Sequence, residues 1–183
     1  MRQLEWVELK YIAACLALFV LAVPLPAAAQ ASLSSYDAVR GALLQIWDEL
    51  PLSVRNAGFT AGAAAGFGAY TPAPDSRFTP AETIHVYAEL LGYGFAEKDG
   101  LEASSLTGDL FLVSSDGRTL ARQDKFLTLD ISGREKRLET YLSFETSLSG
   151  FPPGDYRLEI DLSDTVSGKK ASFSLPLTLV AGE

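Results

Sequence analysis

The chain has 183 residues, a formal net charge of −8, one histidine and one cysteine. An acidic balance without a basic cluster argues against nucleic acid and anionic lipid as partners, and a single histidine with a single cysteine leaves no ligand set for zinc. Beyond Cys15 there is no cysteine, so that part of the chain must hold itself together by burial, not disulfides.

Residues 1–29 read as a signal peptide. Arg2 and Lys10 flank a polar start that also carries Glu5 and Glu8. Tyr11 to Val23 is apolar and uncharged, and Pro24 to Ala29 ends in small residues. The apolar run falls short of the ~20 residues a spanning helix needs, so cleavage after Ala29 or Ala31 is expected, with an uncleaved anchor as the rival. Ile12-Ala13-Ala14-Cys15 is not a lipobox, because most of the apolar run follows the cysteine. The expected location is periplasmic or secreted, with no stable membrane span after cleavage.

Residues 30–57 form an expected helical segment. Ser34, Ser35 and Asp37 supply capping oxygens and a favourable charge for a first turn. Val39, Leu43, Ile46, Trp47 and Leu50 then share one helical face, and Pro51 stops the helix. Leu52 to Ala57 is expected to add a short second turn. The apolar stripe is expected to lie on the domain that follows, with a partner-binding helix as the alternative.

Residues 58–183 are expected to form the main domain. Gly58 to Pro74 is uncharged and rich in glycine and alanine. Gly62, Gly66 and Gly68 do not make a phosphate loop, because Tyr70-Thr71-Pro72 follows where a helix N-terminus is required. From Ile84 onward the apolar period is two. Ile84, Val86, Ala88 and Leu90 share one face, as do Leu138, Leu142, Phe144 and Leu148, then Tyr156, Leu158, Ile160 and Leu162, then Phe173, Leu175, Leu177 and Leu179. Leu110 to Val113 is a continuous apolar run. Asp116-Gly117 signals a two-residue hairpin, since both positions tolerate positive φ, and Pro152-Pro153-Gly154 a tight turn with positive φ at glycine. The pattern predicts a mainly β protein: an antiparallel sandwich of about seven to eight strands behind a short helical segment.

Gly150-Phe151-Pro152-Pro153-Gly154-Asp155-Tyr156-Arg157-Leu158, running to Asp164 and Ser167-Gly168-Lys169, resembles the final hairpin of bacterial immunoglobulin-like and fibronectin-III-like modules. Phe78-Thr79-Pro80-Ala81-Glu82-Thr83-Ile84 is similar to the entry to an early strand in such modules. The likeness runs from about Tyr70 to Val180 and implies an Ig-like architecture without an activity. Adhesins, spacers, carbohydrate binders and inhibitors share it, and no functional residue is carried over.

Candidate chemistry is sparse. His85 would have to serve any Ser-His-Asp triad, but no nucleophile-elbow pattern accompanies it. Asp155, Glu159, Asp161 and Asp164 are close in sequence without the spacing of a calcium loop. Neither a cofactor nor enzymatic activity is therefore expected. Tyr87, Tyr93, Phe95 and Tyr141 remain as an expected binding surface, since exposed rings stack on sugars or anchor proteins. The expected role is a non-catalytic envelope module for protein binding or scaffolding. A carbohydrate-binding module using those rings is the alternative, and a small periplasmic hydrolase a further one.

Overall fold

The computed structural model describes residues 32–182. The expected signal segment 1–29 lies outside them. The chain divides into two compact units, Met1–Val39 and Arg40–Glu183. In the first, the described residues are the opening turns of helix α1 (Leu33–Glu49). Its cap is Ser32, two residues before the expected serine, with the Ser35 N–H donating to Ser32 Oγ at 3.1 Å. The second unit contains the remainder of α1 and nine strands.

The strands are β1 (Ser53–Thr60), β2 (Arg77–Phe78), β3 (Ile84–Leu91), β4 (Ala96–Lys98), β5 (Leu101–Ser114), β6 (Thr119–Gly133), β7 (Thr140–Thr146), β8 (Gly154–Asp164) and β9 (Lys170–Leu179). A small sheet has the order β1-β3-β7. A larger one runs β2-β9-β8-β5-β6, with β4 against the beginning of β5. All pairs are antiparallel except the short parallel pair β2–β9.

The two sheets face each other over one apolar core, as alternating strands require. Ile84, Val86, Ala88 and Leu90 of β3 and Leu142 of β7 bury their side chains with Leu106, Leu110 and Leu112 of β5, Leu158, Ile160 and Leu162 of β8, and Leu175, Leu177 and Leu179 of β9. The chain is thus a mainly β sandwich with a short helix, and the described residues hold nine strands where seven to eight were expected.

Several local expectations change. Leu52 to Ala57 is not a helical turn: β1 starts at Ser53, so the expected boundary at residue 58 falls inside a strand. A bulge between Arg55 and Gly58, with Asn56 at φ 50°, breaks the period of two that would have marked it. Within Arg40–Glu183 the helical stripe is not buried as a whole: Trp47 is buried, while Leu43, Ile46 and Leu50 are exposed. In the other unit Val39 is exposed. The β5–β6 connection is four residues, Ser115–Arg118, with Ser114 N–H donating to Arg118 O, and only Gly117 in it has positive φ. Near Pro152-Pro153-Gly154 the positive φ belongs to Gly150, and Gly154 already begins β8.

Candidate functional site: a groove between two free strand edges

The four aromatic residues expected to form a binding surface do not form one. Tyr87 does sit on the outer face of the small sheet, but segment 61–74 folds over it and leaves it 0% exposed. Its ring lies between Tyr70, 4.1 Å away centroid to centroid, and Tyr141, at 5.4 Å. Its hydroxyl accepts the Gly68 N–H at 2.7 Å and donates to Glu89 Oε1 at 3.2 Å. Burial raises its pKa above the usual value.

Tyr93 is equally buried, in the core. Its ring meets Trp47 edge-on at 5.2 Å, and its hydroxyl donates to the Arg137 carbonyl. Burial raises this pKa as well. Phe95 is half-buried against Tyr93, with the Lys136 ammonium 5.6 Å above its ring. A sugar cannot reach the face of a fully buried ring, so Tyr87 and Tyr93 carry no stacking platform.

The titratable groups are also dispersed. His85 is half-buried and lies 3.9 Å from Glu145 Oε2. Asp155 accepts the Thr178 hydroxyl at 2.7 Å, and Glu159 pairs with Arg157 at 2.6 Å. Asp164 is 2% exposed. It accepts N–H bonds from Gly94 at 2.6 Å and Val166 at 2.8 Å, and a further bond from the Ser167 hydroxyl. Those donors make Asp164 the clasp of two loops and occupy its oxygens. Glu89, 4% exposed, is likewise held by Arg55 Nε at 2.8 Å and Asn56 Nδ2 at 2.9 Å. Among the described residues no three or more His, Cys, Asp or Glu side chains group to hold a metal ion.

The feature that remains is a groove of about 510 Å³ on the open side of the sandwich. It is lined by β6 from Leu127 to Ser132, by β7 from Thr140 to Phe144, and by Arg137 and Glu139 of the connection between them. Among the described residues β6 pairs only with β5, and β7 only with β3. Each strand therefore ends its sheet, and each turns an unpaired backbone edge outward.

The cause lies in the connection. Residues 134–139 carry the chain from the last strand of one sheet to the last strand of the other, so neither edge acquires a neighbour. Leu127, Leu129 and Phe144 pack on the core without being fully buried, and Leu142 lies beneath. Thr128, Asp130 and Ser132 alternate outward and are exposed. The result is a groove of mixed character, with Leu127, Leu129 and Phe144 beside Thr128, Asp130, Ser132, Thr140 and Ser143, between two strand edges that have no strand partner among the described residues.

Of the expected surface residues, only Tyr141 lines this groove. Sequence reasoning missed the β6 residues because edge status depends on sheet order, which no local pattern encodes. The one available signal was Arg134 to Glu139, a connection between two alternating strands without a tight-turn motif. No protein-family model matches the chain, and no curated protein is similar to it in sequence.

Proposed function

We propose that this chain is an exported, non-catalytic immunoglobulin-like module. In this reading it binds a protein partner by accepting an extended segment of that partner along the β6 and β7 edges. The observation that carries it is the pair of strand edges, without a strand partner among the described residues, that flank one groove of mixed polar and apolar lining, the arrangement strand addition uses. There main-chain hydrogen bonds supply affinity, and pockets for alternate side chains supply specificity.

The sheet orders support the immunoglobulin-like part. Taking β1, β3 and β7 as A, B and E, and β5, β8 and β9 as C, F and G, the strands divide between sheets as in that fold, with β6 as the added strand beside C. Tyr156, near the start of β8, donates its hydroxyl to the Pro152 carbonyl at 2.7 Å, which is the geometry of a tyrosine corner. Export rests on the reading of residues 1–29, and among the described residues no helix is long and apolar enough to cross a membrane.

The test is in-cell photocrosslinking from three positions: Thr128 on β6, Glu139 in the lining of the groove, and Ser174, exposed on β9. Adducts with one envelope protein from the first two, and not from Ser174, are expected. Equal adducts from all three, or none, would contradict the reading.

A further inference from the structure

We propose that Tyr70 and Tyr87 form a site of oxidative crosslinking, where a one-electron oxidant joins the two rings and fixes segment 61–74 to the small sheet. Tyr87 is wholly buried on the outer face of β3. The Tyr70 ring is stacked on it, with centroids 4.1 Å apart and planes within 29° of parallel. The Tyr141 ring is also stacked, at 5.4 Å and 26°. Tyr70 and Tyr141 are half-buried, so electrons can leave the covered ring through neighbours that solvent reaches.

The stacking suits radical coupling. A phenol that loses one electron and its hydroxyl proton keeps its unpaired spin partly on the ring carbons ortho to oxygen, in π orbitals perpendicular to the ring. Two phenols face to face point those orbitals at each other. The other tyrosine contacts do not: Tyr93 meets Trp47 at 87° and Phe95 at 50°, and Tyr156 meets Phe151 at 68°, and none of those neighbours is a phenol. Between the two stacked neighbours of Tyr87, the choice falls on Tyr70. Tyr141 is nearly a full ångström more distant and sits on β7, which is paired with β3 along seven consecutive residues and holds the rings apart. Tyr70 lies in a segment held by single bridges, Thr60 to Pro72 and Gly66 to Ala69, and can follow its ring to bonding distance.

The step balances as follows. Two equivalents of oxidant are each reduced by one electron, taken from Tyr70 and Tyr87. The Tyr87 hydroxyl proton passes to Glu89 Oε1, which already accepts that hydroxyl at 3.2 Å, and the Tyr70 proton passes to water. One carbon–carbon bond forms between the ortho carbons. The two ortho hydrogens then move, as protons, to the phenol oxygens and restore both aromatic rings, so the net loss is two electrons and two protons. The product staples a segment whose polar ties to the outer face of the sheet are the Gly68 N–H on the Tyr87 hydroxyl at 2.7 Å and the Ala64 N–H on Ser143 Oγ at 3.5 Å.

The experiment photo-oxidises the purified chain with trisbipyridylruthenium(II) and persulfate at low protein concentration, and digests the monomer fraction with trypsin. Peptide 56–77, which holds Tyr70, should be joined to peptide 78–98 and the pair should be lighter than their sum by two hydrogen atoms. Fragmentation should place the bond at Tyr87 and not at Tyr93. Tyr70→Phe keeps a ring in the stack and lacks the phenol, so it should lower this product at least tenfold with the far-ultraviolet dichroism unchanged. In the crosslinked monomer the Gly68 amide should exchange at least tenfold more slowly than in the untreated chain. No joined pair in the monomer, a bond from Tyr87 to Tyr141 in its place, an equal yield from Tyr70→Phe, or unchanged exchange at Gly68 would overturn the proposal.

Discussion

The ammonium of Lys169, in the loop between β8 and β9, donates to the Leu50 carbonyl at 2.7 Å, 119 residues away in sequence. The same group reaches the Asp48 carbonyl at 3.0 Å and the Gly92 carbonyl at 2.8 Å. Helix C-termini leave carbonyls without intrahelical partners, and a cation there satisfies them and complements the dipole. Lys169 thereby fastens the end of α1 to the loop after β3. Replacing it with Met should cost about 1.5–3 kcal/mol in chemical denaturation, the range for hydrogen bonds involving a charged group. Amide exchange over residues 46–50 should accelerate more than exchange in β8.

Gly92 lies under the same junction at φ 74°, where a Cβ would be driven into the Pro51 carbonyl oxygen. Gly117, at φ 85°, has open space around it. Gly117→Ala should therefore cost only about 1 kcal/mol from the left-handed backbone. Gly92→Ala should cost more, about 2–4 kcal/mol, because strain and collision add. Paired denaturation curves of the two variants check the difference, and equal losses would contradict it.

The tyrosine corner gives a smaller, cleaner effect. Tyr156→Phe removes one hydroxyl and its bond to Pro152 while leaving the ring in place. A loss of about 1 kcal/mol in the folding free energy is expected. Thermal unfolding with unchanged dichroism of the folded state would measure it.

Tyr87 and Tyr93 make stability fall at high pH. Burial raises both pKa values above the usual 10.0. As pH rises past that value, the unfolded chain loses phenolic protons before the folded one does. The contribution of these groups is therefore fully present below pH 10.0 and is lost as pH climbs through the folded values. Tyrosinate absorbance should lag in these two groups until unfolding, and Tyr87→Phe or Tyr93→Phe should flatten the alkaline loss. An unchanged alkaline limb in both variants would contradict this account.

Where the sequence is locally consistent, it specifies the structure. Leu33–Glu49 is legible because Pro51 ends an amphipathic run, and β3, β8 and β9 because each keeps a strict alternation with a buried face. The failures are non-local. Alternation correctly places Tyr87 on the outer face of its sheet, but Gly68 and Tyr70, seventeen or more residues earlier, are what bury it. Tyr93 follows a strand and so has no register of its own, and its burial depends on Trp47, 46 residues upstream. The groove is invisible for the same reason: Leu129 and Tyr141 look like ordinary alternating residues until the sheet order makes both of their strands terminal.

Amide exchange in the non-covalent complex decides whether the β6 and β7 edges hold a partner as proposed. If a partner strand pairs there, amides within Leu127–Ser132 or Thr140–Phe144 should slow at least about tenfold on binding, while those of β9 keep their free rates. Unchanged exchange along both edges, with protection elsewhere on the domain, would contradict it.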